Sequence, residues 1–151
     1  LPYRSNNDSL PPVNLDGLRN LTQLQTLEIN SAPESLEPLR NLTELRSLRI
    51  QSNNGPEVSL SYLSGLTNLT ELYINADVAG GDLSALSGLT ELRTVSIYHF
   101  DQDYTNYDQR TLIRDLNPLA GLSNLNSLTV SGAADGIDTS PVSHISQVEI
   151  S

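Results

Sequence analysis

Six apolar positions recur along this chain at a fixed rhythm, four steps of three residues and then one of two. Leu15, Leu18, Leu21, Leu24, Leu27 and Ile29 make the first full run, and Leu36, Leu39, Leu42, Leu45, Leu48 and Ile50 the second. The runs starting at Leu60, Leu83 and Leu116 repeat the pattern, and a shorter one holds Val142, Ile145, Val148 and Ile150. The two spacings call for different backbones. A step of two, as in Leu27-Glu28-Ile29, puts alternate side chains on one face of a strand, and a β-branched residue at its end favours that strand. Sustained steps of three fit a short helix or 3-10 turn with one face inward. No single unit can bury its own leucines, so neighbours must stack.

The motifs between the leucines are specific. Asn20-Leu21-Thr22-Gln23-Leu24, Asn41-Leu42-Thr43-Glu44-Leu45 and Leu66-Thr67-Asn68-Leu69-Thr70-Glu71-Leu72 resemble the central motif of the leucine-rich repeat family, in its bacterial internalin-type class of about 22 residues. Pro38-Leu39 and Pro118-Leu119 match that class's proline-leucine step on the convex side. The resemblance spans nearly the whole chain. It implies an α/β fold, a leucine-rich-repeat solenoid with a parallel concave sheet and short helical or 3-10 convex segments. Residues 1–151 are then one domain of about six to seven irregular repeats, read as a segment of a longer array.

Two departures stand out. Between the strand anchors Leu27, Leu48, Leu72, Val95, Leu128 and Val148 the intervals are 21, 24, 23, 33 and 20 residues. The family's turn asparagine, three residues past the strand's last apolar position, is matched only by Asn53, with Asp77 as a near substitute; Ala32, Phe100 and Ala133 fill the other slots. The strand-to-convex turns are therefore expected to be irregular, with Phe100 buried. Leu1-Pro2-Tyr3 and Val148-Glu149-Ile150 read as terminal strands, which makes seven. No polar cap is visible at either end, so end-to-end self-association through uncapped termini is an expectation.

Charge narrows the partners. The chain carries a net charge of −10, its pI is about 4.3, and all eight basic residues are Arg. That argues against nucleic acid and anionic membrane surfaces, and no apolar run approaches a membrane span of about 18 residues. Without Cys, thiolate chemistry and disulfides are excluded. The two histidines, His99 and His144, sit in no recognisable catalytic motif, so no enzyme activity and no cofactor is expected; His144 is expected to point outward.

A parallel sheet without chain to cover its outer face must leave that face wet, and this makes it the natural docking surface. Its central column is Glu28, Arg49, Tyr73, Ser96, Thr129 and Glu149, and the next is Asn30, Gln51, Asn75, Tyr98, Ser131 and Ser151. Glu28 and Arg49 are expected to form a cross-strand ion pair, with Tyr73 against the guanidinium. Arg49, Tyr73 and Tyr98 are the candidate binding anchors, because Tyr and Arg are enriched in hot spots. The 33-residue interval adds an aromatic insertion, the 98–111 loop, in which His99, Tyr104 and Tyr107 join the candidate set. Asp101, Asp103, Asn106 and Asp108 offer oxygen ligands there, but the EF-hand glycine and glutamate are missing, so a solvated acidic loop is expected.

From the resemblance follows a non-catalytic protein-binding module of a bacterial cell-surface or secreted protein. Its partner is a protein, favoured to be basic, held on the concave face with the 98–111 loop as a side wall. The alternatives are a structural spacer or stalk, suggested by the small polar residues of that face, and a glycan-binding module using its tyrosines.

Overall fold

The computed structural model describes residues 11–52, 55–98 and 112–151. Six strands form one parallel sheet in sequence order: β1 Thr26–Ile29, β2 Ser47–Gln51, β3 Glu71–Asn75, β4 Thr94–Tyr98, β5 Ser127–Ser131 and β6 Gln147–Ile150. The expected strand near Leu1 lies outside the described residues, as does Phe100. Each strand pairs in register with the next, so Leu27, Leu48, Leu72, Val95, Leu128 and Val148 form a single row. Short 3-10 helices, among them Glu37–Leu39, Leu60–Leu63, Ser84–Leu86 and Asn117–Leu119, line the convex side. The solenoid expected from the leucine rhythm is the observed fold.

Backbone hydrogen bonding explains the step of three. Leu18 N–H donates to the Leu15 carbonyl, Leu21 to Leu18 and Leu24 to Leu21, at 2.9–3.0 Å. The same series runs Leu36, Leu39, Leu42, Leu45 and again Leu83, Leu86, Leu89, Leu92. Successive three-residue hydrogen-bonded turns eclipse side chains at i and i+3. The leucines of each series therefore point the same way, into the spiral. Leu39, Leu63, Leu86 and Leu119 are 0% exposed, and the buried residues form one continuous core. The exposed large apolar residues lie in the outer described units, Leu21 at 48% and Val148 at 42%.

Units are tied to each other by shared carbonyls. Arg46 and Ser47 N–H both donate to Gln25 O, Thr70 and Glu71 to Arg46 O, and Arg93 and Thr94 to Thr70 O. A side-chain ladder runs beside them: Asn68 Nδ2 donates to Thr43 O and Asn124 Nδ2 to Thr90 O, both at 2.9 Å. His144 continues this ladder. It is exposed, as expected, yet its Nε2 lies 3.1 Å from the Leu122 carbonyl, which can only accept, so Nε2 carries the proton.

With most of the turn asparagines missing, a second row of parallel bridges closes the turns: Val13 with Pro33, Val58 with Val78 and Ile113 with Ala133. The last of these follows the insertion. The chain leaves the sheet at Tyr98 and is next described at Leu112, whose carbonyl presses on Gly81. A Cβ on Gly81 would lie 2.3 Å from Leu112 O, and Gly81 has φ +60°, so this contact requires glycine twice over.

The 3-10 helices begin with a recurrent cap. Asn14 Oδ1 accepts from Asp16 N–H, Ser35 Oγ from Glu37, Asp82 Oδ1 from Ser84, Asp115 Oδ1 from Asn117 and Asp138 Oδ1 from Ser140, at 2.8–3.1 Å. In each case the acceptor stands one residue before the position that opens the three-residue series. These bonds hold the Asp82 and Asp138 carboxyls below the usual aspartate range, chiefly through the backbone N–H each accepts. Depressed folded values mean that the caps contribute fully above the unfolded aspartate value, about 3.8, and fade as pH falls through it toward the folded values. Asp138→Asn keeps an acceptor oxygen, as Asn14 does, but removes the titration. Its melting temperature should fall less steeply than wild type between about pH 5 and pH 3; parallel slopes in thermal melts across that range would contradict this origin of the acid sensitivity.

Candidate functional site

Alternation along the strands decides what the concave face displays. Leu48, Ile50, Leu72, Ile74, Val95 and Ile97 point into the core, so Arg49, Gln51, Glu71, Tyr73, Ser96 and Tyr98 point out. The register aligns Glu28 with Arg49, Arg49 with Tyr73, Tyr73 with Ser96 and Asn75 with Tyr98. No part of the described chain covers this face, and the columns read from the sequence are the columns observed.

One contact differs from expectation. Glu28 and Arg49 are register neighbours, yet no ion pair joins them among the described residues. The guanidinium turns the other way and lies over the Tyr73 ring, with Cζ 3.8 Å from the ring centroid. Gln51, two residues on along the same strand, holds it there. With the Gln51 amide oriented to satisfy both neighbours, its oxygen accepts from Arg49 Nε at 3.3 Å and Nη2 at 2.9 Å. Its nitrogen donates to Asn30 Oδ1 at 3.1 Å. On the far side Tyr73 meets Tyr98, with centroids 5.5 Å apart and planes inclined by 45°. A polar and aromatic spine thus crosses the face from Asn30 beside β1 to Tyr98 in β4. Stacking and two hydrogen bonds together outweigh an exposed ion pair, which contributes at most about 1 kcal/mol.

Beside the spine is a shallow depression of about 340 Å³, lined by Ser47, Arg49, Glu71, Tyr73, Thr94 and Ser96 over the backs of Leu48 and Leu72. The small side chains at Ser47, Thr94 and Ser96 leave it open. Glu71 stands at its rim, exposed, with a long 3.5 Å contact from Ser47 Oγ as its hydrogen bond.

The structure brings three of the candidate anchors together, Arg49, Tyr73 and Tyr98. His99, Tyr104 and Tyr107 lie outside the described residues, as does the acidic stretch Asp101–Asp108. Gln51 and Asn30 were not singled out as functional from the sequence; their positions in the column past the arginine are the signal that could have found them. Among the described residues no group of three or more His, Asp or Glu side chains is placed to hold a metal ion, and no helix is long and apolar enough to cross a membrane.

No family model matches the sequence, and a search of curated proteins finds no match. Solved structures do resemble the fold. Internalin C2 from Listeria monocytogenes str. 4b F2365 is 20% identical with a TM-score of 0.48, over 95% of this chain and 78% of its own. The plant peptide hormone receptor RGFR1, solved in complex with RGF2, is 11% identical with a TM-score of 0.55, over 93% of this chain. This chain spans 22% of that receptor chain. At these identities the receptor likeness establishes the leucine-rich-repeat fold.

The spine and the core make different demands on stability. Arg49→Ala and Tyr98→Ala remove half-exposed surface contacts, and each should cost no more than about 1–1.5 kcal/mol in urea unfolding. Leu69→Ala, at 0% exposure, should cost about 2–5 kcal/mol. A spine variant as costly as Leu69→Ala would mark the spine as part of the fold instead of a surface site.

Proposed function

We propose that this chain is a non-catalytic protein-binding module that holds its partner on the concave sheet, with Arg49, Tyr73 and Tyr98 as anchors, in a secreted or bacterial cell-surface protein. The observation that carries the reading is the pre-ordered spine. Two tyrosines and an arginine are the residue types that dominate binding hot spots, and here their rotamers are set before any partner arrives. Pre-ordering lowers the entropy lost on association, which is why contact with a partner gains more from a held guanidinium than from a free one. The wet face spans about 24 Å across six strands, enough for a peptide segment or one edge of a folded domain. One structural neighbour is a plant peptide hormone receptor solved in complex with RGF2; that property belongs to the receptor and guides the choice of test.

A spacer is the second reading, favoured by the small polar residues Ser127, Thr129 and Ser131, which give β5 little to grip with. Pull-down of secreted and surface proteins with wild type and with Tyr73→Ala/Tyr98→Ala separates the two. Loss of two hot-spot tyrosines should weaken capture about 30-fold or more, with the circular dichroism spectrum unchanged. Unchanged capture would remove the concave anchors. Absence of any capture would favour the spacer, and a glycan-array signal that falls on Tyr98→Ala would favour sugar binding.

A further inference from the structure

Charge on the concave face is separated along the strand direction. Arg49 is tethered to Gln51, which draws its guanidinium toward the C-terminal ends of the strands. Glu71 stands two positions nearer the N-terminal ends, in the row of Ser47 and Thr94. Arg49 and Glu71 occupy neighbouring strands and both line the depression, yet no ion pair forms between them among the described residues. The carboxylate of Glu71 therefore keeps its charge facing the opening, with only the long contact from Ser47. The wider surroundings have the same sign. The three strand columns present Glu28, Glu71 and Glu149 against the one guanidinium of Arg49, on a chain of net charge −10.

We infer that the depression is a subsite for one basic side chain, Lys or Arg, on a peptide segment of the partner, with the cation on Glu71 and its aliphatic stem against Tyr73 and Ser96. The inference deepens the concave-face reading and rests on it. The occupant follows from three features together. The depression is open because its walls are Ser47, Thr94 and Ser96. Among the described residues its carboxylate has no cationic partner. The guanidinium of Arg49, which also lines the depression, is engaged by Gln51 and Tyr73 instead of by that carboxylate. A carboxylate with an apolar and aromatic floor suits a side chain that is apolar along its stem and charged at its tip. An acidic side chain would meet Glu71 on entry, and like charges brought together on binding are strongly unfavourable.

The test is selection of a phage-displayed random peptide library on the intact chain, followed by affinity measurement of the enriched peptides on variants. The expected result is enrichment of Lys or Arg at one position, about tenfold weaker binding to Glu71→Gln, and loss of the basic preference on Glu71→Lys. Glu149→Gln, outside the depression, should leave affinity within about twofold. Peptides that depend on Tyr73 but carry no basic residue and ignore Glu71→Gln would overturn the subsite and leave the concave-face reading standing. Peptides indifferent to both Tyr73→Ala and Glu71→Gln, or no enrichment at all, would overturn the concave-face reading and the subsite with it. Both positions are surface-facing, so each variant is checked for an unchanged unfolding midpoint before its affinity is read.

Discussion

Burial of leucines by neighbouring units is the constraint from which the rest of this structure follows. Each unit offers a row of leucines on a ladder of three-residue hydrogen-bonded turns, and none encloses its own row. Leu39 is covered because the units on either side supply Leu18 and Leu63 to the same core. Such a chain gains stability only by stacking, and stacking in one direction makes the two-residue step at each unit's end a strand beside its predecessor. Parallel pairing, register and curvature are consequences of repeating one short rule. Lateral hydrogen bonds then lock units that hydrophobic burial has already brought together, as in the carbonyl of Arg46 accepting from both Thr70 and Glu71.

That arrangement leaves a parallel sheet with one bare face, unusual because such sheets are commonly covered on both sides. The bare face is rigid, since its backbone is fixed by the core beneath it, so side chains on it sit at fixed spacings. The spine from Asn30 through Gln51, Arg49 and Tyr73 to Tyr98 exploits this. A guanidinium that could have paired with Glu28 is committed to a ring and an amide instead. Among the described residues neither Glu28 nor Glu71 then pairs with a cation, so an acidic molecule carries an arginine near the centre of its concave face.

Much of this was legible in the residues. The columns Glu28, Arg49, Tyr73, Ser96 and Thr26, Ser47, Glu71, Thr94 follow from a period of two and from equal phasing of the leucine runs, and both match the register. What was not legible depended on choices between competing partners. Arg49 had Glu28 and Tyr73 as equal lateral neighbours, and only three-dimensional placement of Gln51 decides between them. His144 joins the asparagine ladder because its ring reaches the Leu122 carbonyl, a role that its exposed position does not advertise. The caps at Asn14, Ser35, Asp82, Asp115 and Asp138 did have a signal, a short polar residue just before the first turn of every such unit. The leucines are so dominant that this second, fainter period passes beneath them. The anchors expected in the 98–111 insertion are a different case, since the repeat rule says nothing about a stretch that departs from it.

The absence of native cysteine makes the central claim directly measurable. Single substitutions Glu71→Cys, Leu72→Cys, Tyr73→Cys, Ile74→Cys and Asn75→Cys along β3 each place one thiol in an otherwise thiol-free chain. If the sheet buries one face and leaves the other bare, labelling by a water-soluble maleimide should alternate, fast at 71, 73 and 75 and slow at 72 and 74. Slow labelling at 73 and 75 as well, or equal rates at all five positions, would contradict an open concave face over a leucine core.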